Sequence, residues 1–419
     1  MRVVVVGSGL LGLSTAYFLV RKGIQVAIVD RASGPAQETS FANGSLLTAS
    51  MSDPWNTPGV LGQISRSIGR PDAPLLVRAK ALPSLLGWGM AFLRESSQER
   101  YDSNTLKNVR LALYSRSALK ELQAEANIPC DYVDSGSLKV FRDAAALQRA
   151  YQRAQWLQQH GIPSKRLDTK ETVSLEPALA DIRAHIAGGI HYPADSVGNA
   201  RRFCEGLAAA LQNAGAEIRF RTPVLGWQRQ GQRIQAAITA NGPLAADAFV
   251  LAAANSSREL TRSLGFDVPI RPVKGYSITV PRDSLSTVPH MPVIDDALHA
   301  AVVPVGPNLR VAGTAEFAGM NRDISPARIE NLRRLLRDIY PRANVGTDHS
   351  ALQPWTGLRP VSADGVPILG TTPVENLYIN TGHGHLGWTL AAGSGKAVAE
   401  LLAGRTPAID MADYALGRH

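Results

Sequence analysis

The sequence predicts a fold of the mixed α/β and α+β class, in which an α/β domain with a parallel sheet is assembled from separate stretches of chain. Three observations predict it. The chain begins with a strand, a glycine turn, a helix and a second strand; a strand, glycine turn and helix return near its end; and a buried strand, AFVLAAA, lies between them. With 419 residues, the chain is long enough for two or three domains and a large core.

The first element is a run of four valines, which is typical of a buried parallel strand. Gly7, Gly9 and Gly12 follow it at G-x-G-x-x-G spacing and open an apolar helix, and a second apolar strand then ends on Asp30. This order predicts a dinucleotide site. The glycines allow a tight turn, a close approach of the pyrophosphate and close helix packing, while the acid can bind a ribose hydroxyl.

The opening residues alone are also compatible with an export signal or a membrane anchor, because an early Arg precedes a long apolar run. A signal peptide needs a small-residue cleavage site after its apolar core, whereas this chain continues into a strand and an acid. A membrane helix needs roughly 20 apolar residues, which the Gly-Ser-Gly break interrupts. The glycines therefore favour the dinucleotide unit, and the remaining alternative is an α/β unit whose glycines only pack.

The net charge of +9 favours anionic partners: carboxylate substrates, anionic lipid or nucleic acid. A solvated basic surface is an equally good interpretation, and no basic run with interleaved aromatics occurs, so no nucleic-acid partner is expected. Cys130 and Cys204 lie far apart and outside any C-x-x-C, so neither a disulfide framework nor a thiolate metal site is expected. We expect reduced, cytoplasmic surroundings and no metal.

The elements after Asp30 alternate between the two predicted domains. The loop ASGPAQETSFANGSLLT has turn chemistry and can wrap a cofactor with backbone N–H groups, and a helix is predicted from Asn104 to Ala126. A further helix, a hairpin and the AFVLAAA strand follow. The cofactor domain is therefore expected to comprise 1–50, 195–262 and 350–419, and the substrate domain 51–194 and 263–349. A discontinuous cofactor domain of this kind is typical of large flavoproteins.

The stretch LPSLLGWGMAFLRE, from Leu82 to Glu95, is apolar and carries Trp88 and Phe92. It is interpreted either as a core or partner-contact helix or as an interfacial helix. Together with the basic net charge, the second interpretation predicts a peripheral contact with the cytoplasmic face of the inner membrane.

Five stretches, GSGLLGLSTAYFL, ETSFANGS, PVKGYSITVP, TGLRPVSADGVPILG and NTGHGHLGWTLAAGSG, together resemble the FAD-dependent D-amino acid oxidoreductase superfamily. Within it, the chain looks most like the catalytic subunits of bacterial D-amino acid dehydrogenases, nearly end to end. The resemblance implies a Rossmann-like FAD-binding domain and a substrate domain built on an antiparallel sheet. It also implies that a D-amino acid gives a hydride to the flavin, that the imine hydrolyses to a 2-oxo acid and ammonia, and that electrons pass to a respiratory acceptor, a quinone or a partner protein.

The resemblance places Arg359 of TGLRP at the substrate carboxylate, which an Arg fork matches with two hydrogen bonds. A structural ion pair is the alternative. Tyr276 of KGYS could donate a second hydrogen bond to that carboxylate or lie in the core with a satisfied hydroxyl. Lys274 could face either the flavin or the solvent.

The C-terminal turn GHGHLGW carries two histidines, His383 and His385, on either side of Gly384. A His here could accept the amine proton, but a water can take it too, and both rings could simply pack. The expected role of 382–388 is to offer backbone donors near the polar edge of the flavin, where they would stabilise charge on the reduced ring.

The residues expected to bind FAD lie in the glycine turn, the following loop, the hairpin and the C-terminal turn: Val6, Gly7, Gly9, Leu10, Leu11, Gly12, Asp30, Arg31, Ser40, Asn43, Gly44, Val224, Gly382, Gly384, Leu386 and Gly387. The resemblance places Val224 where family members hold the adenine through a backbone amide. In the sarcosine-oxidase relatives a Cys near the C-terminus can bond the flavin. Both cysteines lie earlier here, so the FAD is expected to be non-covalent.

Two alternatives to D-amino acid oxidation remain. A related amine oxidoreductase, acting on glycine, D-proline or hydroxyproline, would share the FAD site and differ in the substrate domain. A flavin-bearing scaffold subunit would have no chemistry of its own, but it would need no carboxylate clamp, so Arg359 argues against it.

Overall fold

The computed structural model describes residues 1–67, 75–298, 300–344 and 352–418. Its strands are β1 (Arg2–Val6), β2 (Gln25–Val29), β3 (Leu46–Leu47), β4 (Leu75–Val77), β5 (Ser137–Phe141), β6 (Lys165–Leu167), β7 (Gly188–Tyr192), β8 (Ser196–Val197), β9 (Glu217–Arg219), β10 (Val224–Gln230), β11 (Arg233–Thr239), β12 (Gly242–Ala245), β13 (Ala248–Leu251), β14 (Ile270–Pro281), β15 (Val293–Asp295), β16 (Ala300–Val305), β17 (Asn308–Phe317), β18 (Trp355–Ser362), β19 (Ile368–Thr371) and β20 (Leu377–Thr381). Its α-helices are α1 (Leu10–Val20), α2 (Val60–Ser67), α3 (Leu82–Arg94), α4 (Gln98–Ala126), α5 (Ala144–Gln159), α6 (Thr169–Leu175), α7 (Ala200–Asn213), α8 (Ser256–Arg262), α9 (Pro326–Ile339) and α10 (Gly387–Leu402).

The first large sheet has six strands in the order β19-β20-β13-β1-β2-β9, and only β19 runs antiparallel to its neighbour. Side chains of β1 alternate between two cores, as the pleat of a strand requires. Val3 and Val5 pack with α1, α4, α7 and α10, whereas Val4 and Val6 pack towards the three-stranded sheet β10-β11-β12. Both faces of the sheet are thus buried, which explains the unbroken valine run.

The predicted order of strand, glycine turn, helix, strand and acid is confirmed, since β2 ends directly before Asp30. The predicted C-terminal unit is also present as β20, a glycine turn and α10. β1 lies between β2 and β13, which belong to distant parts of the chain. Strand order therefore reverses at β1, and in such sheets ligands bind in the crevice outside the carboxyl ends of the strands.

The second large sheet has the order β18-β14-β17-β16-β15-β5-β7-β6, with β4 paired to β17. It is antiparallel apart from the β15–β5 and β17–β4 pairs, so the expected antiparallel sheet is confirmed. One face is covered by α9 and by a 3-10 helix at Pro177–His185, which close a second apolar core. The other face contributes to the cavity described below.

The predicted domain boundaries stay a prediction, and the boundary between 349 and 350 lies outside the described residues. Two elements connect the predicted segments. β18 pairs with β14 in the second sheet, and α4 packs against α10. The helix predicted to begin at Asn104 begins at Gln98, because the Ser97 side chain accepts a hydrogen bond from the Arg100 amide and caps it.

The two faces of α3 have different surroundings. Trp88 and Phe92 face inward and are buried in an apolar cluster. Leu82, Leu86 and Met90, here called the α3 stripe, repeat every fourth residue on the outer face and are 50%, 69% and 70% exposed. Within the described residues, no helix combines the length and apolar character needed to cross a bilayer.

Candidate active site

A cavity of about 1280 Å³ lies between the carboxyl ends of β1, β2 and β13 and one face of β14, β17 and β18. Sites for one small molecule measure about 300–1,000 Å³, so this volume suits a cofactor together with a substrate. The glycine turn lines the cavity from the first large sheet and Arg359 from the second.

The three glycines of the turn have different surroundings. Gly7 has a φ of 111°, and a Cβ on it would lie 2.5 Å from the Ala252 oxygen; a Cβ on Gly12 would lie 1.9 Å from the Gly7 oxygen. Those two glycines are therefore required by the packing of α1 against the sheet. Gly9 caps α1, and a Cβ on it would meet only the Ser40 Oγ, at 3.3 Å. Gly9 is thus the glycine that leaves room for a ligand.

Gly9, Leu10 and Leu11 line the cavity at the start of α1. The first four N–H groups of a helix lack partners within that helix, and the helix dipole favours negative charge at this end. The amides at the start of α1 therefore suit the pyrophosphate of a dinucleotide. Val6 and Gly7 line the same end, whereas Gly12 packs beneath it.

Asp30 lines the cavity and also holds the glycine turn. Its Oδ2 accepts hydrogen bonds from the Ser8 amide at 2.6 Å and the Ser8 hydroxyl at 2.7 Å, while its Oδ1 accepts one from the Ala32 amide at 2.8 Å. Arg31 also lines the cavity and donates from Nε to Glu38 Oε1 at 2.8 Å. The contact of Asp30 with a ribose hydroxyl stays a prediction.

The loop after Asp30 and the hairpin bring four more predicted residues to the cavity: Ser40, Asn43, Gly44 and Val224. Ser40 Oγ lies 3.4 Å from the Leu10 amide, and Asn43 Oδ1 accepts from the Ser45 amide at 3.1 Å. Sequence reasoning missed Ala252 and Ala253, which line the cavity directly after β13. The AFVLAAA stretch could have indicated them, because it forms β13, which pairs with β1 and ends next to the glycine turn.

Arg359 extends from β18 over β14 and lines the cavity. A Cβ on Gly275 would lie 2.2 Å from Arg359 Nη1, so only glycine at 275 lets the guanidinium lie there. Nη1 donates to the Thr314 oxygen at 3.4 Å, and the guanidinium lies 5.6 Å from the Trp55 ring centre. Burial lowers the pKa of Arg359 to about 10, which keeps it protonated at neutral pH.

Among the described residues, no carboxylate forms an ion pair with Arg359. A cation held in a cavity without a counter-ion is costly unless an anion joins it there. The structural ion pair considered for this residue is therefore absent from the described part of the chain. The arrangement favours a carboxylate-bearing ligand.

Lys274 and Tyr276 do not line the cavity. Val273 pairs with Arg359 and Gly275 with Gly357 across β14 and β18, and neighbouring residues of a strand point to opposite faces. Accordingly, the Tyr276 hydroxyl donates to Glu316 Oε2 at 2.6 Å in the second core, and Lys274 Nζ donates to Asn321 Oδ1 at 2.7 Å. This placement does not support their predicted contacts with substrate or flavin, and Lys274 is not solvent-exposed either.

Two histidines of the C-terminal turn line the cavity in neutral form. His383 Nε2 is 2.8 Å from the Ser394 hydroxyl, and burial lowers the pKa of His383 to about 3. His385 Nε2 is 3.0 Å from the Met51 oxygen, its ring stacks on Trp55, and burial lowers its pKa to about 4. Such weak bases are poorly matched to accepting an amine proton at neutral pH.

Gly384 and Gly387 line the cavity beside these histidines, and Gly384 has a φ of 54°. They belong to a 3-10 turn that runs into the start of α10, where the first amides of a helix lack partners within that helix. Gly382 and Leu386 are buried behind the turn and do not line the cavity. Backbone donation towards the flavin stays a prediction.

Thr314 is a cavity residue with a strained backbone that the sequence did not reveal. Its φ is 62°, an uncommon value for a β-branched residue. Thr314 and Ala315 together lie opposite Gly275, because the pairing of β14 with β17 shifts register there. The resulting β-bulge turns the Thr314 oxygen towards Arg359, in line with the frequent occurrence of bulges beside functional sites.

Neither cysteine lines the cavity. Cys130 and Cys204 are buried, and burial raises the pKa of both thiols, that of Cys130 to about 11. The non-covalent attachment of a flavin is thus compatible with their positions. In the described ranges, no group of three or more His, Cys, Asp or Glu side chains is arranged to hold a metal ion.

Comparison with known proteins places the chain among flavin enzymes. A family model described as "FAD dependent oxidoreductase" matches residues 2–401. The chain is 41% identical to a D-amino acid dehydrogenase of Paramagnetospirillum magneticum, with 100% of this chain and 99% of that protein covered. It is 39% identical to a D-amino acid dehydrogenase of Methylobacterium radiotolerans, with both chains covered completely.

A solved structure, glycine oxidase from Geobacillus kaustophilus, has the same fold. The two chains superpose with a TM-score of 0.78 at 22% sequence identity, and the match covers 100% of this chain and 99% of the glycine oxidase chain. The glycine turn, the open start of α1 and a cavity with room for two ligands fit the cofactor that the matching family binds. The chain therefore belongs to the FAD dependent oxidoreductase family, and its cofactor is FAD.

Proposed function

We propose that the protein oxidises D-amino acids to 2-oxo acids and ammonia and passes the electrons to a quinone-type acceptor. One observation carries the substrate assignment. The guanidinium of Arg359 lies in the same cavity as the glycine turn, and it has no carboxylate partner in the described chain. The relatives called D-amino acid dehydrogenase, which match over the full length, support the same class of substrate.

The chain would hold FAD through the start of α1, with Gly9, Leu10 and Leu11 at the pyrophosphate and Asp30 towards a ribose. When bound, FAD supplies the acceptor for a hydride and the means to pass two electrons on. The residues of this chain bind and orient the substrate. Arg359 fixes the carboxylate with its fork, and this leaves the α-carbon with little freedom to move.

An apolar wall limits the access of bulk water to the substrate end. Val60, Trp88 and Phe92 contribute to it and line the cavity, and Trp355 and Phe317 line it too. A dry site strengthens the Arg359–carboxylate pair, because charges interact more strongly at low dielectric. The amine must be neutral when the α-carbon gives up its hydride, because the nitrogen lone pair then forms the C=N bond. With His383 and His385 poorly basic, we assign the proton that leaves the ammonium group to water.

A related amine oxidoreductase is the second candidate. The glycine oxidase from Geobacillus kaustophilus shares the fold, and its likeness at 22% identity does not separate the substrates. Glycine, D-proline and hydroxyproline all carry the carboxylate that Arg359 would bind. A scaffold subunit without chemistry is disfavoured, since it has no use for an uncompensated cation in the cavity.

The function is tested in two half-reactions. Anaerobic addition of D-alanine to the purified yellow protein should bleach the flavin, and glycine, D-proline and hydroxyproline should do so more slowly. The bleached protein is then mixed with a short-chain quinone or with oxygen. Quinone should restore the colour much faster. If another amine bleaches the protein best, the substrate assignment is wrong; fast recovery with oxygen alone, with stoichiometric peroxide, would make the protein an oxidase.

We further propose that the protein binds peripherally to the cytoplasmic face of a membrane through the α3 stripe. Lys80 precedes α3 and Arg94 ends it, so cationic side chains flank the exposed Leu82, Leu86 and Met90. Apolar residues flanked by basic groups suit an anionic lipid surface. Leu82 also lines the cavity, so this surface would lie close to the site that a lipophilic acceptor must reach.

Replacing Leu86 and Met90 together by Glu should weaken binding to anionic vesicles by roughly tenfold or more, because apolar area is lost and negative charge is added. Vesicle co-sedimentation at low salt measures this, and high salt should release the wild-type protein. The matched control replaces Met320 and Ile324 together by Glu; both are exposed apolar residues elsewhere (54% and 41%), and the change should have little effect. Equal binding by wild type and the double variant would exclude the α3 stripe as the contact.

A further inference from the structure

A second charged group faces the same cavity as Arg359, and the proposed function does not use it. Asp53 lines the cavity, and 28% of its side chain is exposed. It lies two positions before Trp55, the ring that stacks on His385 beneath Arg359. The Trp55 ring centre lies 5.2 Å from that of His385 and 5.6 Å from the Arg359 guanidinium, so the segment that carries Asp53 reaches the part of the cavity that contains Arg359.

The Asp53 carboxylate is held by one cation. Arg153 donates to Asp53 Oδ1 from Nη2 at 2.6 Å and from Nε at 3.1 Å, and the Thr105 hydroxyl donates to the same oxygen at 3.2 Å. Because these three hydrogen bonds all end on Oδ1, Oδ2 keeps capacity to accept, and the Tyr101 hydroxyl is a further neighbour of the carboxylate.

The cluster around Arg153 carries negative charge overall. Arg153 also pairs with Asp102, from Nη1 to Oδ1 at 2.6 Å, so one cation meets two carboxylates and a charge of −1 remains. The guanidinium lies 4.0 Å from the Trp156 ring centre and 4.9 Å from that of Tyr101, which fixes its plane. Asp53 is therefore a firmly positioned acceptor and not a mobile surface acid.

An amino acid at neutral pH is a zwitterion. Arg359 supplies a cation for its carboxylate, and Asp53 supplies an anion in the same cavity for its ammonium group. We propose that Asp53 binds the α-ammonium group of the incoming substrate, so that Arg359 and Asp53 together select zwitterions over simple carboxylates. This inference rests on the proposed amino acid oxidation and adds a second substrate contact to it.

The proposal has a kinetic signature. A carboxylate beside the amine stabilises the ammonium form, which binds but cannot yield a hydride. Asp53 thus strengthens substrate binding but lowers the fraction of bound substrate whose amine is neutral and reactive. Asp53→Asn keeps the shape and an acceptor for Arg153 but removes the charge. It should raise KM for D-alanine roughly 10- to 100-fold, as loss of a charged hydrogen bond does, while kcat stays equal or rises.

Propanoate provides the matched ligand, since it is D-alanine without the amine. Its binding to the FAD-loaded enzyme can be followed by the change in flavin absorbance or by competition with D-alanine. Asp53→Asn should bind propanoate as tightly as wild type or more tightly, because a nearby negative charge has gone. Equal weakening of propanoate and D-alanine would mean that Asp53 only supports the fold, and would overturn the proposal.

Asp102→Asn is the control variant, because Asp102 pairs with the same Arg153 but does not line the cavity. It neutralises the cluster but keeps the Asp53 carboxylate, so it should weaken D-alanine binding far less than Asp53→Asn does and leave propanoate binding nearly unchanged. Asp53→Glu should retain part of the D-alanine affinity. Thermal melting and flavin content verify that each variant is folded. If Asp102→Asn reproduces the effect of Asp53→Asn, the cluster acts structurally and the proposal fails.

Two further outcomes would also overturn the proposal. A lower kcat with unchanged KM in Asp53→Asn would make Asp53 a proton acceptor. A raised KM for D-arginine alone, with KM for D-alanine unchanged, would mean that Asp53 binds a cationic substrate side chain and not the α-ammonium group. Failure of wild type to react with D-alanine refutes the proposed function alone; the zwitterion test then continues with whichever amine bleaches the flavin and with its deamino analogue.

Discussion

Replacing Arg359 by Ala is expected to lower kcat/KM for D-alanine by at least about 1000-fold without loss of FAD. A charged hydrogen bond contributes about 1.5–3 kcal/mol, and a misplaced reacting carbon costs roughly another 100-fold in rate. FAD should be retained because Arg359 belongs to β18 of the second large sheet, whereas the glycine turn follows β1 of the first. Stopped-flow reduction under anaerobic conditions measures the first quantity, and the ratio of flavin to protein absorbance measures the second.

Two further variants separate the charge of Arg359 from its position. Arg359→Lys keeps a cation but loses the fork, so it should recover little activity. Gly275→Ala keeps Arg359 intact but introduces a Cβ that would lie 2.2 Å from Nη1, and should therefore displace the guanidinium. Both variants should resemble Arg359→Ala. Oxidation of D-alanine by Arg359→Ala at the wild-type rate would show that the carboxylate is bound elsewhere.

Replacing Gly9 by Val is expected to abolish flavin retention, with at least a 100-fold loss of FAD affinity. Gly9 caps α1 and lines the cavity, so a branched side chain would stand where the pyrophosphate approaches the helix amides. The fold should survive, because Gly9 has an ordinary φ of −84° and its nearest neighbour is the Ser40 Oγ at 3.3 Å. The purified protein should be colourless.

Flavin content after purification and recovery after titration with FAD measure this effect, and circular dichroism reports on the fold. Gly226→Val is the control, since a Cβ on Gly226 would meet nothing within 4 Å and Gly226 does not line the cavity. It should remain yellow. A Gly9→Val protein that keeps a full complement of FAD would place the pyrophosphate away from the start of α1.

The fold around the glycine turn could be predicted from sequence because its information is local. Spacing, β-branched runs and one acid within the first 30 residues specify β1, α1 and β2. The antiparallel sheet was expected from the family resemblance. In contrast, the start of α4 was misplaced, because Ser97 was not recognised as its cap.

The substrate end of the cavity depends on strand pairing between distant segments, which the sequence does not display. Tyr276 and Lys274 were grouped with Arg359 because all three lie in family motifs. The register of β14 against β18 instead brings Gly275 beneath Arg359 and turns the other two away. The bulge at Thr314 and the approach of Asp53 to the cavity are equally long-range, and neither had a local signal.

Gly275 and Gly357 lie opposite each other across β14 and β18, and their identity is informative when homologous sequences are compared. A Cβ on Gly275 would lie 2.2 Å from the Arg359 guanidinium, and one on Gly357 would lie 2.2 Å from the Trp355 ring. A homologue that keeps the arginine but carries a larger residue at either place cannot keep this arrangement unaltered. Glycine at both places is therefore a criterion, available from gene sequences alone, for sorting uncharacterised homologues by whether they can keep Arg359 in this position.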